Sequence, residues 1–256
     1  MDTAFLTIKW GTAFHPDDVN TLKRAVNANT STARRFICLT DSPDGLDADI
    51  EVYPIPEFDL YDDTPKIGIW PKISLFHPVL ATYAECLVFL DIDTIVTGSL
   101  DELCHDPAET LMMLAAGHRW RHMSASLPPM PASAFMTYRP AHHTHIFETF
   151  KANKAAMTEK FLLEQGFVGD TARMVDFYPL PWVQSFKYHL RRRHLIDFVL
   201  PPFQPAPETK LVAFHGFPRP FDVADRHAVW ARPPRCGWHR PSWVINYYRE
   251  FSDRAV

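Results

Sequence analysis

The sequence is poor in glycine, in paired cysteine and in long apolar runs, and each shortage removes a class of protein. Its 256 residues carry 9 glycines against 23 prolines, so Gly-rich flexible linkers are not expected. The prolines gather at Pro54–Pro56, Pro128–Pro131, Pro201–Pro207 and Pro233–Pro234. They read as stiff surface loops, because proline fixes φ and lacks an amide donor. None of these stretches is long enough to mark a boundary, so residues 1–256 are read as a single domain. The four cysteines, Cys38, Cys86, Cys104 and Cys236, are scattered and contain no CxxC pair. That spacing argues against a disulfide framework and a structural zinc site. Cys38 and Cys86 lie inside apolar runs and are expected as small core residues. A formal net charge of -4 lacks the basic excess that nucleic-acid binding calls for. No run approaches the ~18 apolar residues of a membrane span. Met1-Asp2-Thr3-Ala4 has no basic stretch leading into an apolar one, so a cytoplasmic protein is expected.

What is present suits a sizeable core: 46% of residues are hydrophobic and 22% charged. Strand signals fall at Ala4–Lys9, Arg35–Thr40, Ile50–Tyr53 and Cys86–Leu90. Pro16–Asn29 reads as a helix, with Pro16 in its first turn and Val19, Leu22, Ala25 and Val26 at helical spacing. Pro71–Leu80 reads as another, with Ile73, Phe76 and Leu80 on one face and Pro78 bending or ending it. The second half is less regular. Leu111–Ala115, Ala134–Tyr138 and Leu211–Phe214 look like strands, His143–Asn153 and Thr158–Gln165 like helices. Strand and helix alternation predicts an α/β fold with a mainly parallel sheet flanked by helices.

The chemistry centres on Asp91-Ile92-Asp93, directly after the apolar run Cys86–Leu90. Ligands of open α/β sheets bind beyond the carboxyl ends of strands. Alternation sends residues i and i+2 to one side, so both carboxylates can face one cation. Two carboxylates supply part of the oxygen shell of Mg²⁺ or Mn²⁺, and substrate phosphates usually complete it. The plainer alternative is a pair of turn or capping aspartates ahead of Thr94.

Two families share the local pattern. Leu90-Asp-Ile-Asp-Thr-Ile-Val96 resembles the first motif of haloacid-dehalogenase-type phosphatases, which implies Asp91 as nucleophile and Asp93 as acid/base. Lys151 or Lys154, Gly169-Asp170 and Asp176 would then complete the site. That motif belongs on a first strand, and here about ninety residues precede it.

The wider set of motifs resembles family 8-like bacterial glycosyltransferases of the Rossmann-like GT-A fold. It comprises Lys9-Trp-Gly-Thr12, Phe36-Ile-Cys-Leu-Thr-Asp41, Trp70-Pro-Lys-Ile-Ser-Leu-Phe76 and Val88-Phe-Leu-Asp-Ile-Asp-Thr-Ile-Val96. Gly98-Ser-Leu-Asp101, Ser133-Ala-Phe-Met136, Gly169-Asp170, Ser185-Phe-Lys187 and Phe214-His-Gly-Phe-Pro-Arg-Pro220 follow in order. The resemblance implies metal-dependent transfer of a hexose from a nucleotide-diphosphate sugar, UDP by analogy, to an unknown glycan or lipid-linked acceptor. It implies Mn²⁺ or Mg²⁺ on Asp91, Asp93 and His215. Thr7, Lys9, Trp10, Asp41, Lys72, Ile92 and Arg219 would line the donor, with Arg219 where the family has a phosphate-gripping Lys. Asp170 and Lys72 would act on the sugar. Thr171 stands where the family has Gln, and Ala132 where an Asn often precedes Ser133. Those losses leave open a sugar-nucleotide binder without turnover. Three features read as bystanders or membrane contacts. Arg191-Arg-Arg-His194 is a charge run, and the aromatic, basic stretch Trp238–Phe251 packs on the core or meets a membrane surface at the inner face. His142-His143-x-His145 resembles a metal cluster without further ligand spacing.

Overall fold

The computed structural model describes residues 1–32, 34–65, 69–192, 196–225, 227–228 and 238–255. Its strands are β1 (Thr3–Lys9), β2 (Arg35–Thr40), β3 (Glu51–Tyr53), β4 (Cys86–Leu90), β5 (Thr94–Val96), β6 (Leu111–Ala116), β7 (Met130–Tyr138), β8 (Val175–Phe177), β9 (Val183–Ser185) and β10 (Leu211–Ala213). Its helices are α1 (Pro16–Ala28), α2 (Gly117–Arg121), α3 (Pro140–Lys160), α4 (Glu164–Thr171), α5 (Ile196–Val199), α6 (Pro220–Ala224) and α7 (Ser242–Phe251). Seven strands form one sheet in the order β3-β2-β1-β4-β7-β6-β8, and β5-β10-β9 form a smaller one. In the large sheet β1 runs parallel to β2 and β4, and β7 is antiparallel to both β4 and β6. The carboxyl ends of β4 and β6 therefore lie at the same edge of the sheet.

Both faces of the central strands are covered, which is why β4 reads as an unbroken apolar run and β1 is buried along its whole length. Phe5, Phe36, Cys38, Val88 and Leu90 face α1, the small sheet and α7. Leu6, Ile8, Ile37, Leu39, Leu87 and Phe89 face α3, α4 and the segment Trp70–Phe76. Helix α1 starts as its sequence dictates: Pro16 occupies the first turn, His15 Nδ1 accepts from the Asp17 amide (3.1 Å), and the Asp18 carboxylate accepts from the His15 amide (2.9 Å).

Three expected elements differ. Pro71–Leu80 is two 3₁₀ segments, Trp70–Phe76 and Pro78–Thr82, meeting at His77. Pro78 has no amide to continue the first segment, and His77 Nδ1 caps the second through the Val79 amide (3.1 Å). The helix expected at His143–Asn153 runs on to Lys160 past a non-helical Asn153. The next helix begins at Glu164 rather than Thr158, and the register of α4 changes accordingly. No described helix is long and apolar enough to cross a membrane. Val244, Tyr247 and Tyr248 of α7 are buried against the core, while Trp238 is exposed. Arg193, His194 and Cys236 lie outside the described residues.

His143, on the first turn of α3, is 1% exposed and has neither ring nitrogen in a well-formed hydrogen bond. Burial pushes its pKa down to about 4, the neighbouring His145 and His142 add to the shift, and the Thr110 backbone opposes it weakly. A folded-state pKa below the unfolded value makes the folded chain bind fewer protons. Stability is thus full above pH ~6.5 and falls as pH drops towards 4, by up to about 3 kcal/mol from this residue. Urea titrations between pH 7 and 4.5 should show that loss, and His143→Leu should flatten it.

Candidate active site

A cavity of about 590 Å³ opens at the carboxyl ends of β4 and β6. Strand β4 ends at Leu90, and the Asp91 amide then donates to the Ala134 carbonyl of β7 (3.0 Å). This fixes the backbone from which Asp91 and Asp93 both reach the cavity. From the second face of the sheet, Lys72 of the 3₁₀ segment rises past the Phe89 ring and places Nζ 2.6 Å from Asp91 Oδ2. Its side chain is 6% exposed, and that of Asp91 20%.

Glu164, the first residue of α4, forms the other side of this floor and is 2% exposed. Its carboxylate accepts from the Ser133 hydroxyl (2.6 Å) and the Ile69 amide (3.3 Å). Gln165 lines the cavity beside it. Burial alone would lower the Lys72 pKa, but Asp91, Glu164 and Asp93 overcome it, so the ammonium is held charged. Burial pushes Asp91 up to about 7, against Lys72 and with help from Asp93 and Glu164. Three carboxylates face the Lys72 ammonium, with Lys187 acting on Asp93 from the opposite wall, and this leaves a deficit of positive charge in a half-closed space. A proton or a cation at the Asp91–Asp93 edge relieves it.

The opposite wall comes from the small sheet. β10 pairs with β5 so that Ala213 faces Thr94, and the Phe214 amide bonds the Asp93 carbonyl (3.1 Å). The chain then turns through His215 (φ 32°) and Gly216 (φ 89°), a left-handed step that suits glycine. The Gly216 amide reaches Asp93 Oδ2 (3.3 Å). β9 sets Ser185 level with Ala213, and the Ser185 hydroxyl meets His215 Nε2 at 2.7 Å. Burial, then Lys187, lower the His215 pKa to about 4, which keeps the ring neutral. The wall is completed by Trp120, whose indole donates to the Val183 carbonyl (2.8 Å), and by Tyr188.

Asp91, Asp93, Lys72 and His215, far apart in sequence, thus share one cavity. The others do not join it. Ile92 and Arg219 line a smaller cavity of about 250 Å³ with Thr12 and Phe14. There the Arg219 guanidinium lies over the Phe14 ring at 4.3 Å and bonds the Ala13 carbonyl. Thr7 is fully buried, donating to the Leu90 carbonyl (2.8 Å), and Lys9 is buried near the Gly11 carbonyl. Trp10 packs against the core, and Asp41 closes the turn after β1 by accepting from the Gly11 amide (2.8 Å).

Asp170 lies outside the cavity, at the far end of α4, exposed and paired with Lys160 (2.9 Å). Gly169 beside it has a packing reason: a Cβ there would sit 2.1 Å from Pro131 Cγ. The acid that faces the cavity from α4 is Glu164, which a helix over Thr158–Gln165 would put near its end, whereas α4 begins there. A Glu directly after the apolar Phe161-Leu162-Leu163 was the available sign of a first-turn acid. The phosphatase constellation is not assembled: Lys151 and Lys154 on α3 pair with Glu57 and Asp63, and Asp176 bonds the Phe177 amide. The cation beside Asp91 is the upstream Lys72.

Among the described residues no three His, Cys, Asp or Glu side chains are gathered closely enough to hold an ion. Asp91 and Asp93 present hard oxygens and an excess of negative charge, which fits a divalent cation completed by substrate phosphates. His215 Nε2 could join only by giving up its bond to the Ser185 hydroxyl.

Neither a protein-family model nor a curated protein sequence matches the chain. Solved structures do. The galactosyltransferase LgtC, in complex with donor and acceptor sugar analogues, matches over 98% of this chain and 97% of its own at a TM-score of 0.65 and 12% identity. An active-site mutant of LgtC matches over the same shares at 0.64 and 14%. The apo structure of the bifunctional glycosyltransferase WbbM matches over 98% of this chain and 50% of its own, at 0.60 and 10%. The chain has the fold of these glycosyltransferases, a GT-A-like mixed α/β architecture built on one seven-stranded sheet.

Proposed function

We propose that this chain transfers a sugar from a nucleotide-diphosphate donor, a UDP-hexose, to an acceptor hydroxyl, with Mn²⁺ or Mg²⁺ seated on Asp91 and Asp93. The observation that carries the reading is the buried Lys72 set among Asp91, Glu164 and Asp93 at the carboxyl end of β4, in a cavity large enough for a sugar. Breaking a sugar–diphosphate bond releases dense negative charge, and a divalent ion held by Asp91 and Asp93 would supply electrostatic stabilisation of the leaving diphosphate. The residues of the chain do the positioning. Lys72 holds Asp91 in place and adds a fixed positive charge beside the phosphates. Glu164, already braced by Ser133 and the Ile69 amide, presents a carboxylate to the sugar without reorganising. Arg219, which lines a small cavity with Ile92, would lie on the nucleotide side, where its guanidinium could grip a phosphate bidentately.

Titration of UDP with and without Mn²⁺, followed by a screen of UDP-sugars for hydrolysis, tests the reading. Metal-dependent UDP binding and slow hydrolysis of at least one donor are expected. Asp93→Ala should weaken UDP binding in Mn²⁺ about tenfold or more, and Glu164→Gln should cut hydrolysis about 100-fold with UDP affinity changed far less. UDP binding without turnover of any donor would identify a binder that has lost catalysis. Trapping of Asp91 by BeF₃⁻ would return the phosphatase.

A further inference from the structure

The cavity has an acidic floor but a basic lip. Between Glu109 and Glu148 the sequence has no Asp or Glu, yet it carries Arg119, Arg121, Arg139 and five histidines in a chain whose net charge is -4. Four of these, His118, Arg119, Arg121 and His122, fall on or beside the single turn α2. The fold delivers that turn to the cavity mouth. β6 points the same way as β4, so α2, which follows it directly, emerges at the edge where Asp91 and Asp93 lie. Gly117 (φ 70°) makes the bend; a Cβ there would meet Met130 Sδ at 2.6 Å, so the turn is tightly seated.

Sheet order sets which substrate this lip can serve. The ends of β1 and β2, and the Arg219 cavity beside them, lie on one side of β4, whereas α2 lies two strands away on the other. The donor's nucleotide is expected over the first side. The lip therefore faces whatever approaches the sugar from across the cavity. Arg121 is exposed and stacked over Tyr188, its guanidinium carbon 4.4 Å from the ring centroid, and among the described residues the guanidinium has no hydrogen-bond or ion-pair partner. Both residues line the cavity. Stacking fixes the plane of the guanidinium and leaves its donor edge open, the arrangement that reads a carboxylate or phosphate. Arg119, next to the lining rather than in it, has a buried Nε without a hydrogen bond among the described residues. The rings of His118 and His122 stack in parallel at 5.9 Å. Nothing acidic in the sequence from 110 to 147 answers these charges.

We propose that the acceptor is anionic: it carries a carboxylate or phosphate that docks on Arg121 while its sugar lies beside Tyr188, whose ring is in edge contact with the buried Trp120. This deepens, and rests on, the glycosyltransferase reading. The charged group can belong to an acidic sugar or to a phosphate-linked saccharide, and the same guanidinium edge serves either.

The test is binding to the full chain in the presence of UDP and Mn²⁺, using matched probes. Methyl glucuronide against methyl glucoside reads the carboxylate, and glucose 1-phosphate against methyl glucoside reads the phosphate. At least one charged probe should bind about tenfold or more tightly than the neutral one, and whichever does names the source. Arg121→Ala should bring that ratio close to one, and Arg121→Lys should keep part of it. Circular dichroism of each variant checks that the exposed substitution leaves the fold intact. A ratio near one in the wild-type chain, no binding of either charged probe, or a ratio untouched by Arg121→Ala overturns the proposal. UDP binding in the same samples separates the two readings: failure there sinks the transferase, whereas UDP binding with no charge preference sinks only the anionic acceptor.

Discussion

Lys72→Met is expected to lose both stability and function, with the largest combined effect of any single substitution at the site. Methionine keeps the length and apolar stem that pack beside Phe89, so little volume changes. What goes is the buried ammonium set among Asp91, Glu164 and Asp93. Leaving one partner of a buried pair uncompensated costs up to about 3–5 kcal/mol, and protonation of Asp91 takes up part of that cost. Asp91 is already pushed up to about 7 by burial with Lys72 working against the shift, so without the ammonium its pKa rises further. The carboxylate then stays protonated at neutral pH and offers a cation little. Urea denaturation should show the loss as a lower midpoint at an unchanged slope. Donor hydrolysis should fall by roughly 100-fold or more, since a fixed charge next to the leaving group is worth several kcal/mol in such sites. A variant as stable as the wild type would mean that the surrounding carboxylates already carry protons, and that Lys72 is not the counter-charge described here.

How much of this was legible beforehand depends on the kind of signal each element carries. β4 and the acids after it were visible because a strand buried on both faces is apolar throughout, and Asp91 and Asp93 break that run abruptly. α1 was visible because Pro16 and the apolar spacing agree. Lys72 and His215 were found through motif resemblance. No periodicity marks either one, and only the fold brings them to the same cavity. β10 was visible as the short apolar run Leu211–Phe214, whereas β5 and β9 have three residues each, too few for alternation to register, and β5 meets β10 across more than a hundred residues. Trp70–Phe76 misled because its apolar spacing suits an α-helix while Pro71 and Pro78 hold it to short 3₁₀ turns. The lip on α2 was passed over because a five-residue helix after a short strand looks like loop. Its charge became informative only when sheet order placed it opposite the nucleotide side.

The misplaced start of α4 mattered most, and it leads to the second large effect. Gly169→Ala is expected to destabilise the chain even though alanine is the better helix former. In a helix interior that exchange gains about 1 kcal/mol. At Gly169, however, the added Cβ would lie 2.1 Å from Pro131 Cγ and 2.7 Å from Pro131 Cβ, far inside contact distance. Pro131 cannot yield easily: its ring is rigid and its strand is paired to β6 at Ala115. The helix must therefore move off β7, and overpacking of this kind costs about 1–3 kcal/mol. With so short an approach the clash outweighs the propensity gain, for a net loss of about 1–2 kcal/mol. The displacement also carries Glu164 away from Ser133 and Lys72, so donor hydrolysis should fall by more than the stability loss explains. Gly166, one turn earlier in the same helix, supplies the contrast. A Cβ there would meet the Phe161 ring at 3.5 Å, an ordinary contact, so Gly166→Ala should stabilise by about 0.5–1 kcal/mol. Thermal denaturation of the two variants side by side decides the matter: shifts of the same sign would mean that α4 does not press on Pro131, and that Glu164 owes its place to something other than this helix–strand contact.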